Sequence, residues 1–520
     1  MELRRLVELS SRVRATSKKS EKITLIADFL RRTHGKDTEL AALYLTGALP
    51  QGRIGVGWRA IEEVGEEAGE EAGGGETGGR SPLSLEEVDT AFSRIASDQG
   101  PGSSDRKIGM LQALFRWADP EERRFLGHLL IGEVRQGALE GIVLEAIAKA
   151  ASLPAPEVRR AMMFSGSIGE VARVALEEGS AGLSRFTARL FSPVAPMLAN
   201  GADDVTEALE RLGEAAFEFK LDGGRIQVHK GGEEVRIFTR QLQEITDRLP
   251  EVVEAARALP IREAILEGEA IALRPDGRPL PFQTTMRRFG RTKEVAAIRS
   301  EIALASFFFD LLYLDGGALL ERPYRERFKL LTETVPANLL IPRIVTSNRE
   351  EAEMFLRRAL EAGHEGLMAK SLAAPYVAGQ RGYHWLKLKT AKTLDLVVLA
   401  AEWGSGRRSG WLSNLHLGAR DAESGQFVML GKTFKGLTDR MLAWQTEKFL
   451  SLEVRRDAWT VYVRPEVVVE IAFSDIQESP RYPAGLALRF ARVKRYRPDK
   501  SADQADTLQT VMEIFRRGRV

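Results

Sequence analysis

At 520 residues, with 44% hydrophobic and 28% charged residues, the chain is long enough for roughly two to four soluble domains. A formal net charge of +2 points to no nucleic-acid or membrane partner by itself, although basic charge can still concentrate locally. The absence of cysteine excludes disulfides, thiolate zinc sites and a cysteine nucleophile, and the six histidines form no HExxH pair. The opening "MELRRLVELSSRVRAT" carries charges where a signal peptide needs an apolar run. No stretch approaches the roughly 18 apolar residues of a membrane helix. These features predict a cytoplasmic protein with no membrane partner.

In chain order, residues 1–204 predict helices, because stretches such as "RFLGHLLIGEVRQGALEGIVLEAIAKAA" repeat apolar residues at helical spacing. Within them, residues 62–80 form an acidic, Gly-rich segment with seven glutamates between Glu62 and Glu76, which predicts a disordered surface loop. Ser84 followed by Glu87 predicts a capping box opening the next helix. Residues 205–394 mix short apolar strands ("EAILEGEAIAL", "ALASFFFDLLYLDG", "HWLKLK") with helical stretches such as "REEAEMFLRRALEAG". Residues 395–520 are dominated by strands, interrupted by the helical "TDRMLAWQTEKFLS", and predict a small barrel with an inserted helix. The expected fold is multidomain: an all-α unit, an α+β unit and a β-barrel.

Two apparent nucleotide motifs fail on spacing. "GQFVMLGKT" separates its glycines by five residues where a P-loop needs four, and "GSGRRSG" leads into "WLSNLHLGARD", which is no helix to hold a pyrophosphate.

The stretch "FEFKLDGGRIQVHK", residues 217–230, is more informative. Phe217, Phe219 and Leu221 share one strand face, and Glu218, Lys220 and Asp222 share the other. Gly223 and Gly224 predict a turn, and hence a hairpin with one polar face. Taken alone, such alternation most often marks a solvated sheet face. Similar patterns recur, however. Glu267 and Glu269 share a face of "ILEGEAIAL", predicting an acidic patch, and Phe309 precedes Asp310 in a buried strand. "GHEGLMAKSL" carries Glu365 and Lys370, and "WLKLK" points Lys387 and Lys389 away from its leucines. Between Arg481 and Lys500 there are seven bases against one acid. Gathered into a cleft, these groups suit a nucleoside triphosphate and its metal: cations for phosphate, carboxylates for Mg²⁺, an aromatic for the base. A lysine there can itself be the nucleophile.

In this order, "KLDGGR", "LEGEAIA", "FFFDLLYLDG", "HEGLMAK", "WLKLK" and "RFARVKRYRPDK" resemble the motifs of nucleotidyltransferases that form a covalent lysine–nucleotide intermediate. More closely, the chain resembles the ATP-dependent DNA ligases of bacterial and archaeal type. That resemblance also takes in "SPVAPMLAN", "PFQTTMRRFGR" and "LDLVVLAAEWGSGRR" and covers nearly the whole chain. It implies a helical DNA-binding domain, an adenylation domain and an OB-fold domain, with ATP as co-substrate, Mg²⁺ as cofactor and nicked double-stranded DNA as partner. Lys220 would take AMP, with Asp222 beside it; Glu218 would read the adenine and Phe309 stack on it. Arg225 would contact ribose, and Arg240 would help position the nucleotide. Arg381, Lys387 and Lys389 would hold phosphates. Glu269 and Glu365 would serve nucleotide and metal, and Arg492, Arg497, Asp499 and Lys500 would orient pyrophosphate. Leu221 stands where many relatives have tyrosine, and Glu267 where many have aspartate.

The resemblance further implies a monomer working at the nucleoid in replication, repair or recombination, with a sliding clamp as a partner the residues do not reveal. Within the superfamily the alternatives are an RNA ligase and an mRNA-capping guanylyltransferase. The long helical region and "SPVAPMLAN" favour the DNA enzyme, and the lack of cysteine argues against the NAD-dependent ligases. A non-catalytic DNA-binding relative is the alternative of a different kind.

Overall fold

The computed structural model describes the chain except residues 53, 58, 66–81, 135, 139, 292–293, 378–380, 390–391 and 518–520, and the side chains at 381, 382 and 517. Of the three large apolar cores among the described residues, one gathers the N-terminal helices, among them Leu3–Ala15, Lys19–Leu30, Gly35–Thr46, Leu85–Ser97, Glu140–Ala151 and Ile168–Ser184. The capping box forms as expected: the Ser84 hydroxyl accepts from the Glu87 N–H at 3.2 Å while the Glu87 carboxylate accepts from the Ser84 N–H at 2.8 Å. The acidic segment begins later than expected. Residues 59–65 are helical because Ile61 and Val64 bury against the core, and residues 66–81 lie outside the described residues.

The second core lies between two five-stranded sheets. The first sheet has the order β1-β10-β9-β2-β8, with β1 at Leu198–Ala202, β2 at Ala215–Phe219, β8 at Arg343–Thr346, β9 at Gly366–Ser371 and β10 at Arg381–Lys389. The second has the order β4-β3-β5-β6-β7, with β3 at Gly224–Gly231, β4 at Glu234–Thr239, β5 at Glu263–Ala272, β6 at Leu304–Leu314 and β7 at Gly317–Ala318. A bidentate ion pair, Arg327 to Asp310 at 2.8 and 2.9 Å with both side chains 0% exposed, fastens the helix Tyr324–Thr334 to β6.

The stretch 217–230 is not a hairpin. β2 pairs with β8 and β9, and β3 with β4 and β5, so residues 220–223 cross from one sheet to the other. Alternation suits any strand and does not choose its partner. The glycines serve close approach instead: a Cβ on Gly223 would stand 2.5 Å from the Ala270 carbonyl, and one on Gly224 would overlap the Phe289 ring. The polar face of β3 is also buried rather than solvated. The Gln227 side chain accepts from the Val194 N–H at 2.7 Å and donates to its carbonyl at 3.0 Å, and His229 Nδ1 accepts from the Phe191 N–H at 2.9 Å.

The third core fills a small barrel built on β11 at Lys392–Trp403. β11 pairs through its first half with β16 (Val468–Phe473) and through its second with β12 (Leu412–Arg420) and β15 (Thr460–Val463). β13 (Phe427–Thr433) and β19 (Arg492–Tyr496) extend this sheet, and the expected inserted helix is Asp439–Ser451.

Candidate functional site

Lys220 stands at the crossing between the sheets, and its peptide groups are held on both sides. Its N–H donates to the Gly366 carbonyl at 2.9 Å, and its carbonyl accepts from the Glu365 N–H at 3.1 Å. Its Nζ lies 2.6 Å from Glu365 Oε2, while Lys389 Nζ donates to Glu365 Oε1 at 2.7 Å. One carboxylate thus bridges two lysines. Burial, which pushes the Glu365 carboxyl up, is outweighed by Lys220 and Lys389, which hold it below the usual range. Burial and the neighbouring Lys220 charge lower the Lys389 ammonium.

Two further carboxylates face this cluster. Burial and the charge of Glu365 raise Asp222, which is paired with Arg489 of the barrel. Glu269, opposite Arg225 in the β3–β5 register, is pushed by burial up to about 7, with Asp222 and Glu365 adding to the shift and Lys220 and Arg225 opposing it. A folded-state value above the ordinary carboxylate range means that the folded chain holds this proton more tightly than the unfolded chain. Stability associated with it is present at low pH and lost as pH rises through about 7. Glu269→Gln is therefore expected to melt a few degrees above the wild type at pH 8, on the order of 2 kcal/mol, with the difference shrinking toward pH 5. Thermal melts at both values check this; an equal or lower melting temperature at pH 8 contradicts it.

The Glu218 end is enclosed. Glu218 is only 2% exposed; its carboxylate pairs with Lys370 Nζ at 2.7 Å and accepts from the Tyr324 hydroxyl. Lys370 lies 4.4, 4.3 and 4.8 Å from the ring centroids of Phe309, Trp385 and Tyr324. Arg225 lies 5.5 Å from the Phe309 centroid, donates to the Met197 carbonyl at 2.7 Å and pairs with Glu267. Glu267 therefore neutralises Arg225 and does not join Glu269 in an acidic patch.

The structure thus brings together Lys220, Asp222, Glu269, Glu365 and Lys389 at one end, and Glu218, Arg225 and Phe309 at the other. Lys387 lies on β10 two residues before Lys389, and the side chain of Arg381 lies outside the described residues. Arg240 is exposed in the turn after β4 and makes no hydrogen bond to the cluster. The C-terminal motif is elsewhere: Arg497 and Lys500 pair with Asp395 of β11 at 2.7 and 2.6 Å, Asp499 pairs with Arg497, and Arg492 is exposed. Arg489 reaches the site in their place, its guanidinium 3.7 Å from the Phe282 ring centroid. Sequence reasoning missed Tyr324, named Lys370 without giving it a role, and counted Arg489 only within the basic stripe. Lys370 left a signal, as a lysine within the otherwise apolar run "GLMAKSL".

Among the described residues no group of three metal-ligating side chains converges closely enough to hold an ion. Mg²⁺ takes one or two carboxylates and keeps water or phosphate in its other positions, so Glu269 and Glu365 beside Lys220 fit it as donors.

The family described as "ATP dependent DNA ligase domain" matches residues 196–389, "DNA ligase N terminus" matches 64–148, and "ATP dependent DNA ligase C terminal region" matches 408–500. A "Probable DNA ligase" of Anaeromyxobacter sp. (strain Fw109-5) is 54% identical over 518 residues, 99% of this chain and 98% of that protein. Another, from Sorangium cellulosum (strain So ce56), is 52% identical over 509 residues, 98% of this chain and 94% of that one. The solved structure "Pmar-Lig_PreS3" shares the fold, with a TM-score of 0.62 at 17% identity over 95% of this chain and 99% of its own. Its motifs, the matching family models and its full-length relatives agree: the chain belongs to the ATP-dependent DNA ligases.

Proposed function

We propose that this ligase seals nicks in duplex DNA with Lys220 as its nucleophile. The observation that carries this reading is the placement of Lys220 Nζ 2.6 Å from Glu365, beside Lys389, at the crossing of two sheets that also carry Glu218 and Phe309. The amine lone pair forms a P–N bond to the α-phosphorus of ATP, pyrophosphate leaves, and Glu365 is placed to accept the amine proton. AMP then passes to the 5′-phosphate of the nick as the P–N bond breaks. Finally the 3′-hydroxyl attacks that phosphate and AMP departs.

Glu218 reads adenine, Phe309 stacks on it, and Arg225 reaches the ribose. Asp222 supports Lys220. Arg240 helps position the nucleotide, and Arg381, Lys387 and Lys389 hold the phosphates. Glu269 and Glu365 would hold Mg²⁺, which would supply neutralisation of phosphate charge. Arg492, Arg497, Asp499 and Lys500 serve lysine adenylation, for which the barrel must turn, since Arg497 and Lys500 are engaged with Asp395. The helices grip DNA through its phosphates, largely without regard to sequence. We take the three cores as three domains and draw the first junction ahead of β1, which belongs to the catalytic sheet. Among the described residues no helix is long and apolar enough to cross a membrane, and we place the protein at the nucleoid as a monomer.

The test has two stages. The purified chain is incubated with Mg²⁺ and ATP, GTP or NAD⁺ and weighed for a covalent nucleotide; nicked duplex is then added. A label from ATP that discharges as the nick closes supports the reading. A label from GTP, or one that moves only to RNA ends, replaces it.

A further inference from the structure

The buried pair Glu218–Lys370 needs an explanation beyond stability. Both side chains are 2% exposed, and an apolar pair of similar volume usually holds a fold as well or better than a buried ion pair. Lys370 Nζ also donates to the Phe309 carbonyl at 3.3 Å and is surrounded by three aromatic rings, so it cannot swing away from Glu218 without losing every partner it has. Tyr324 sends its hydroxyl to the other Glu218 oxygen. Both oxygens of the carboxylate are thereby held in place by donors.

We propose that Lys370, assisted by Tyr324, is a specificity-determining positioning residue that fixes the Glu218 carboxylate as an acceptor facing C6 of the base and so selects a 6-aminopurine over a 6-oxopurine nucleotide. This rests on the reading of Glu218 as the base-reading carboxylate. A 6-aminopurine offers an N–H donor at C6, where a 6-oxopurine offers an acceptor. An ionised carboxylate can only accept, whereas a protonated one gains an O–H donor. With the cation beside it, Glu218 satisfies the 6-amino group and leaves a 6-oxo group facing negative charge. A buried polar site mismatched in this way rejects the analogue strongly. Without Lys370, Glu218 keeps, among the described residues, only the Tyr324 hydroxyl and the more distant Arg343 guanidinium at 4.0 Å, and the carboxylate is free to turn from the position in which it faces C6.

The test compares covalent labelling of Lys220 by ATP and by inosine triphosphate, which differ at C6, read by intact mass at matched times. Wild type is expected to label with ATP far in preference. Lys370→Met, which keeps length and packing, is expected to lose ATP labelling and to lower the ATP:inosine ratio at least tenfold. Tyr324→Phe is expected to lower it severalfold. Equal loss with both nucleotides at an unchanged ratio overturns the proposal and leaves Lys370 a structural residue. If Lys370→Met fails to fold, Tyr324→Phe decides, and an unchanged ratio there is equally fatal. Glu218→Gln separates the underlying reading: if that change leaves the ratio untouched, Glu218 does not read the base and the reading itself fails.

Discussion

Lys220→Ala is expected to abolish covalent nucleotide on the protein and to cut nick sealing on the order of 10⁴-fold or more, while binding of nicked duplex is retained. The structure makes the expectation specific. Lys389 reaches the other oxygen of the same Glu365 carboxylate, so a second amine stands close to the nucleophile. It is nonetheless a poor substitute, because it starts from β10 on the opposite side of Gly366 in the ladder, whereas the Lys220 N–H and carbonyl are held by Gly366 and Glu365. In-line attack depends on that fixed origin. Mass mapping of wild-type protein after incubation with ATP is expected to place AMP on Lys220 alone. AMP on Lys389 in the alanine variant, with sealing retained, sinks the assignment. The side chain is 21% exposed, so its loss should leave the melting temperature within a degree or two, and inactivity cannot be ascribed to unfolding.

Gly366→Ala is expected to be nearly as damaging without touching a charged group. Gly366 has φ +141°, a conformation that L side chains rarely adopt, and a Cβ there would overlap the Leu388 carbonyl on β10. Its own carbonyl receives the Lys220 N–H, and its neighbour Glu365 bridges Lys220 and Lys389. Relieving the clash by parting β9 from β10 pulls Glu365 away from Lys389 and shifts the nucleophile. A misplacement of about 1 Å costs on the order of 100-fold in rate, and the strain costs about 1–3 kcal/mol. Single-turnover adenylation and thermal melts measure the two effects. A variant that is destabilised yet adenylates at the wild-type rate shows that this backbone contact does not position Lys220.

Much of this site is legible in the amino-acid order, and the limits have physical causes. Lys220 stands out only because "KLDGGR" leads an ordered series of family motifs; its flanking alternation alone suits a solvated face. The glycines promised a turn and delivered close packing, because the residue after a strand does not reveal which sheet the next strand joins. Glu218 seemed to lie on an open face, yet Lys370 and Tyr324, far along the chain, enclose it. Arg489 and Arg497 sit in the same basic stripe, but one meets Asp222 and the other Asp395, a choice made by how the barrel docks. Ser84 with Glu87 needed no such information: a cap is satisfied within one turn of helix, so sequence and structure agree there.

The parallel pairing of β1 with β10 brings residues 198–202 against residues 381–389, with nearly the whole catalytic unit between them in sequence. Such distant closure is slow, since loop entropy is lost before any contact is gained. During synthesis the helical region can fold as it emerges, but the sheet carrying Lys220 must wait for β9 and β10 to leave the ribosome. Lys220 is thus made early and positioned late, and a half-made chain lacks the assembled cluster of Lys220, Glu365 and Lys389.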